Sequence, residues 1–525
     1  MKIRILVALV ALAATAPALA APPANLDTRI EALRRTSELP GLAIAIVEDG
    51  KTTLARGYGV RKLGGNDAVN ADTIFMTGST GKAVTVAALA TLVDAGKLGW
   101  DDKVVDRLPG FQMYDPWVTR EMTVRDLLVH RSGLGLGAGD LMFVPRSNRT
   151  RANIVAALRH IKPATSFRSG YAYDNILYTV AGALIEAVSG QSYESYLRQH
   201  VFKPAGLLTA TSDESTRLAT ANRAFPHGRN SGAVRGLGPL LLLDETDQLG
   251  AASTPAGLLA MSANDLAKWL TIQLARGSTP DGGRLFTEAS SAEMWNPQTI
   301  EPISPVPPGF EATQPKFKEY ALGWEVADYG GAKIISHSGG VFGFITMVVL
   351  IPEKNVGFAI TMNAEEGAVR RGLTYELLDH YLGRPYVDWA GRYKVLLTTM
   401  LSNARAAVAA KAAAPAKIGP SLALDRYVGR YSDPWYGRIT VSHGKTGLAI
   451  DFNETPRMGG PLVHYQYDTF IARFGDRNIE PAYVTFGLDA EGKVERITMK
   501  PVSPTADFSF DYQDLNFTPI AAPAR

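Results

Sequence analysis

The chain has 525 residues, 46% of them hydrophobic, and it contains no cysteine. Without thiols there are no disulfides, thiolate nucleophiles, cysteine-bound zinc or iron–sulfur clusters, and a chain this long requires at least two cores of buried apolar surface. Lys and Arg number 54 against 51 Asp and Glu, with no basic run, so nothing is present to neutralise a phosphate backbone and nucleic-acid binding is excluded.

Residues 1–20 open with Lys2 and Arg4, continue as an apolar run and end in Ala18-Leu19-Ala20. This is the layout of a secretory signal peptide, and it predicts export to the periplasm or beyond; an uncleaved N-terminal anchor is the alternative. No later stretch reaches the ~20 apolar residues of a membrane span. A short amphipathic helix is expected over 27–37. Gly41–Val47 and Thr52–Val60 then read as strands around an Asp49-Gly50 turn.

The next string is Phe75-Met-Thr-Gly-Ser79-Thr-Gly-Lys82, leading into an apolar helix predicted over Lys82–Ala95. Three residues of helical spacing put Ser79 and Lys82 on one face. Burial would strip solvent from the ammonium and turn Lys82 into a usable base. The helix N-terminus would favour a developing oxyanion beside the serine. The plainer reading makes Ser79 a helix cap and Lys82 a surface cation.

Helical patterns follow at Val124–Val129, Ile154–His160, Tyr178–Val188 and Asn264–Leu274. Between them, Tyr171-Ala-Tyr173-Asp174-Asn175 precedes a helix starting near Ile176. A phenol beside an ammonium can relay protons, and Asn175 could orient Lys82 and a substrate carbonyl. Tyr173 as a packed aromatic and Asn175 as a helix cap are the plainer roles. Further on, Ser336-His337-Ser338-Gly339-Gly340 leads into a strand at Phe344–Leu350. Its glycines would admit a substrate backbone and offer N–H groups, although His337 alone would pass for a structural histidine. Val356–Thr361 and a helix over 366–382 complete this part. Strands at both ends with helices between predict an α/β (α+β) domain: an antiparallel sheet flanked by helices, beside a helical subdomain.

Residues 384–424, Ala-rich and bounded by prolines, read as a connecting helix and linker. Beyond them, strands are predicted at Gly437–Val441, Leu448–Phe452, Thr469–Phe474, Ala482–Leu488 and Val494–Lys500, which argue for a small all-β barrel over 425–520.

The order S-x-x-K, Y-x-N, H-x-G resembles the serine β-lactamase and penicillin-binding-protein superfamily, above all its class C-like peptidases and esterases, across most of residues 26–383. The segments 123–133, Pro255-Ala-Gly257 and Asp265–Trp269 add to the match. The resemblance implies Ser79 as acylated nucleophile, Lys82 as its proton acceptor and Tyr173 as acid/base. It further implies an oxyanion hole from the Ser79 and Gly340 amides, and Asn175, His337 and Gly339 as substrate-binding residues. Whether Lys82 or Tyr173 takes the first proton stays open. No metal or other cofactor is implied.

Substrates would be small esters, peptides or amides. Because His337 stands where β-lactamases carry the lysine of K-T-G, only weak β-lactamase activity is expected. A silent scaffold and an acyltransferase are the competing readings. Residues 425–520 resemble the lipocalin-like barrel of some related peptidases, on Tyr427–Tyr431, Asp433–Gly437, Tyr467–Phe470 and Ala506–Phe510, which implies a homo-oligomer assembled through the barrel. A literal Lys445-Thr446-Gly447 lies in this tail and is assigned to a hairpin turn.

Overall fold

The computed structural model describes residues 21–246, 248–413, 418–445 and 447–520. The expected leader, residues 1–20, and Thr446 of the tail's Lys-Thr-Gly lie outside the described residues.

An eight-stranded sheet forms the centre of the first part. Its strands are β1 (Gly41–Glu48), β2 (Lys51–Gly59), β3 (Thr299–Ile300), β4 (Lys318–Tyr320), β5 (Glu325–Tyr329), β6 (Ala332–Val341), β7 (Phe344–Ile351) and β8 (Val356–Met362), in the spatial order β2-β1-β8-β7-β6-β5-β4-β3. All neighbouring pairs are antiparallel, so the two ends of the segment meet at β1 and β8, where Ile44 faces Ile360.

The alternation in β1 explains why both faces are covered. Leu42, Ile44 and Ile46 pack with Leu26, Ile30 and Leu33 of α1 (Leu26–Thr36), and with residues of the C-terminal helix of this part. Ala43, Ala45 and Val47 turn to the other face, into the core shared with the helical subdomain. The small alanines let helices approach closely there. That core contains α2 (Lys82–Asp94), α3 (Ile176–Ser189) and α4 (Ala263–Leu274), while α5 (Gly367–Tyr381) covers the first face.

The segment expected to be helical at Val124–Val129 is a single 3₁₀ turn, Arg125–Leu127. The Asp126 carboxylate accepts from the Thr123 amide at 3.0 Å and its hydroxyl at 2.7 Å, and the chain then leaves the helical region at His130, whose φ is 55°. Thr123 and Asp126 thus cap the start of the turn, and the left-handed backbone at His130 keeps it from continuing where apolar spacing alone would extend it.

A 25-residue helix, α6 (Trp389–Ala413), packs along α5 and leads to the tail. There, β9 (Gly429–Asp433), β10 (Gly437–Gly444), β11 (Gly447–Phe452), β12 (Gly459–Gln466), β13 (Thr469–Ala472), β14 (Ala482–Leu488), β15 (Val494–Pro501) and β16 (Asn516–Pro519) form a closed barrel, sealed by β9 pairing with β16. Lys445 sits in the β10–β11 turn, where the sequence places it. The β15–β16 connection leaves the barrel and reaches the helical subdomain of the first part.

Candidate active site

The chain approaches Ser79 through a two-residue strand, Phe75–Met76, paired with Ala260–Met261. A 3₁₀ turn, Gly78–Gly81, then feeds directly into α2. Neither serine nor lysine has the plainer role. The caps of the turn and of the helix are Thr77 and Gly81, and Lys82 is fully buried. Every residue from Lys82 to Ala90 is buried, so the helix carries its lysine into the core.

Lys82 Nζ lies 3.1 Å from Ser79 Oγ, 2.6 Å from Asn175 Oδ1 and 2.8 Å from the Ala256 carbonyl. Thr85 holds this last segment in place by donating to the Pro255 carbonyl at 2.7 Å. Burial lowers the Lys82 pKa to about 7, against a smaller opposing pull from the Asp140 and Asp174 charges. The rings of Tyr173 and Tyr178 flank the nitrogen at 4.8 and 5.0 Å.

Burial pushes the Tyr173 phenol well above 10, against a smaller opposing pull from the nearby Ser79 side chain, and both residues line the same cleft. At neutral pH Tyr173 therefore holds its proton. Its ring lies 4.2 Å from that of His130 and meets Phe508 edge-on at 5.8 Å. Asn175 occupies the cap position of α3, yet its side chain makes no capping bond. Its oxygen goes to Lys82 and its Nδ2 donates to Asp140 at 2.7 Å.

Strand β6 closes the other side. A side chain on Gly78, whose φ is 55°, would come within 2.4 Å of the Gly340 nitrogen, and one on Gly339 within 2.0 Å of the Thr77 carbonyl. Glycine at both places lets the turn and the strand abut. Gly340 is exposed at the cleft, whereas Gly339 is buried behind it as a packing position. His337 borders the cleft but commits both ring nitrogens. Nδ1 lies 2.6 Å from the Ser338 carbonyl, an acceptor, and so carries the proton; Nε2 then accepts from the Tyr320 hydroxyl at 2.8 Å. Burial lowers its pKa to about 4, so the ring is neutral.

These residues line a cleft of about 310 Å³, the size of a small-ligand site. Phe143, Val144, Leu249 and Val341 supply apolar wall, and Asp507, Phe508 and Ser509 reach in from the β15–β16 connection of the barrel. Ser79, Lys82, Tyr173, Asn175, His337 and Gly340 thus meet at one place. The Ala256 carbonyl, Asp140 and the barrel residues were not singled out as site residues in the sequence. The strings containing Pro255–Gly257 and Ala506–Phe510 carry family resemblance and no side-chain motif of their own.

The β-lactamase family model matches residues 26–382, and a domain of unknown function (DUF3471) matches 413–519. The chain is similar to the unguisins hydrolase ungD' of Aspergillus campestris, 31% identical over 428 residues, 77% of this chain and 74% of that protein. It is also similar to penicillin-binding protein 4 of Amycolatopsis lactamdurans, at 30% over 369 residues, 69% of this chain and 89% of the other. In fold it resembles the octameric penicillin-binding protein homologue from Pyrococcus abyssi, with a TM-score of 0.59, 20% identity, and coverage of 90% and 97% of the two chains.

Proposed function

This chain belongs to the β-lactamase family, and from that premise we propose that it is a serine hydrolase that cleaves esters or peptide and amide bonds through an acyl-enzyme on Ser79. The observation that carries the reading is the set of neutral partners around Lys82 Nζ. Asn175 Oδ1 and the Ala256 carbonyl can only accept, so a neutral Lys82 gives them its two N–H bonds and turns its lone pair to the Ser79 hydroxyl.

In this mechanism Ser79 Oγ bonds to the substrate carbonyl carbon while its proton passes to Lys82. The amides of Ser79 and Gly340 hold the resulting oxyanion. Tyr173, kept protonated by burial, relays a proton to the departing alkoxide or amine as the scissile bond breaks and recovers it through Lys82. Water then attacks the acyl carbon, losing its proton to the same pair, and Ser79 is released. With His337 neutral and both its nitrogens engaged, no cation at that position holds a substrate carboxylate. This favours esters and amides over β-lactams. The similarity to a protein named as an unguisins hydrolase supports hydrolysis as the reaction class.

A panel of p-nitrophenyl esters, D- and L-amino-acid amides and a β-lactam, run beside Ser79→Ala, tests the reading. Loss of every activity in the variant, by about 10⁴-fold or more in kcat, is expected; a variant that keeps its turnover would overturn it. Export is part of the proposal, on the leader-like residues 1–20, and recovery of the chain only in the cytoplasmic fraction, with its N-terminus at Met1, would remove it. Homo-oligomerisation through the barrel is a further part, and sizing the chain with and without residues 384–525 tests it.

A further inference from the structure

The amide of Asn175 has an oxygen end and a nitrogen end of nearly the same shape, and only the oxygen end serves Lys82. Its orientation is decided on the far side of the residue. Asp140 is fully buried, and its Oδ2 accepts from Asn175 Nδ2 at 2.7 Å. Burial raises the Asp140 pKa to about 7, and any proton it carries belongs on Oδ1, which accepts from neither Asn175 nor Ser509. Turning the amide over would set its NH₂ against the N–H bonds of Lys82 and its oxygen against Asp140 Oδ2, an oxygen that already accepts from Ser509. Both contacts would be lost inside the core, where unmade hydrogen bonds cost most.

Asp140 is in turn held by the barrel. Ser509 Oγ donates to the same Oδ2 at 2.8 Å. The Asp511 carboxylate accepts from the backbone of the turn that carries Asp140, from Gly139 N at 2.7 Å and Leu141 N at 3.1 Å. Both residues belong to the β15–β16 connection, some 370 positions along the chain from that turn.

We propose that Asp140 is a positioning residue that fixes the Asn175 amide with its oxygen toward Lys82, and that the barrel, through Ser509 and Asp511, is a working part of the catalytic centre. The proposal rests on the acyl-enzyme reading above. It assigns the barrel a role in the chemical step, separate from any part in assembly.

The test follows labelling of Ser79 by a fluorophosphonate in the full-length chain, by intact mass, together with kcat and KM on a p-nitrophenyl ester. Asp140→Ala removes the acceptor, whereas Asp140→Asn keeps an oxygen in its place. The Ala variant is expected to label at least about tenfold more slowly and to lose kcat in parallel, with KM within about twofold and final labelling still one per chain. The Asn variant is expected within about threefold of the unaltered protein, and Ser509→Ala between the two.

An Ala variant that labels at the unaltered rate, or an Asn variant as slow as Ala, overturns the inference. Should Asp140→Ala fail to fold, a Ser509→Ala chain with unchanged labelling and kcat does so. An unaltered chain that takes no label at Ser79 overturns the acyl-enzyme reading itself, which separates the two failures.

Discussion

Lys82 Nζ stands 3.1 Å from Ser79 Oγ at the buried start of one helix, and the distance follows from how the chain enters that helix. A 3₁₀ turn places Ser79 three residues ahead of the lysine, and an apolar helix draws the lysine out of water. Desolvation lowers its pKa to about 7, where a base is half available at neutral pH. Local backbone geometry, burial and chemistry are therefore one continuous cause.

The abutment of Gly78 on Gly340 is the first place to test it. A Gly78→Ala side chain would need φ 55° and would come within 2.4 Å of the Gly340 nitrogen. The turn must then back away from β6 and separate the two oxyanion amides. We expect kcat on an ester to fall about 100-fold, with KM changed much less. Steady-state kinetics checks this, and a kcat near that of the unaltered protein would show that the seam does not matter.

Lys82 also makes stability depend on pH. Its folded pKa, about 7, is below the 10.5 of an unfolded lysine, so between these values the unfolded chain binds more protons. Stability therefore rises with pH across that window, and the penalty is complete below about 7. Lys82→Met removes this dependence, while the cost of its orphaned acceptors is independent of pH. Between about pH 7.5 and 9.5 the unaltered protein should gain about 3 kcal/mol relative to the variant in denaturant titrations. Parallel curves for the two would contradict the lowered pKa.

His337 sets an expectation for β-lactams. Its ring is neutral and donates only to the Ser338 carbonyl. A charge-assisted bond to a substrate carboxylate is absent from that position. Nitrocefin should be turned over with a kcat/KM at least about 100-fold below that of the best p-nitrophenyl ester. Comparable values would show that another group replaces the missing cation.

The parts legible in the sequence were those set by local spacing. Ser79 and Lys82 are three residues apart, Tyr173 and Asn175 share one string, and the β1–β2 and β7–β8 hairpins declare themselves by turn residues and alternation. The strands β9, β12 and β16 were not predicted. Strand β12 begins Gly459-Gly460-Pro461 and reads as a turn until its neighbours β11 and β13 supply the hydrogen bonds. The rest of the site was hidden by distance along the chain. Ala256 offers only a backbone carbonyl, which no side-chain motif announces, and Ser509 reaches Asp140 across 369 positions. His337 lines the cleft, and its bonds to Tyr320 and Ser338 depend on strand register, which its own string does not announce.

The most direct measurement is the rate of fluorophosphonate attachment to Ser79 as a function of pH. Lys82, with its pKa at about 7, faces His130, His337, Tyr173 and Tyr178. It also faces Asp140 and Asp174, which burial raises to about 7, so the arginine variant is what assigns the pH limb to Lys82. The rate should climb through about pH 7 to a plateau as Lys82 loses its proton, and Lys82→Arg should lose the limb and at least about 10³-fold in rate. A rate flat from about pH 5 to 9, or an arginine variant that labels as fast as the unaltered protein, would contradict the assignment of Lys82 as the base.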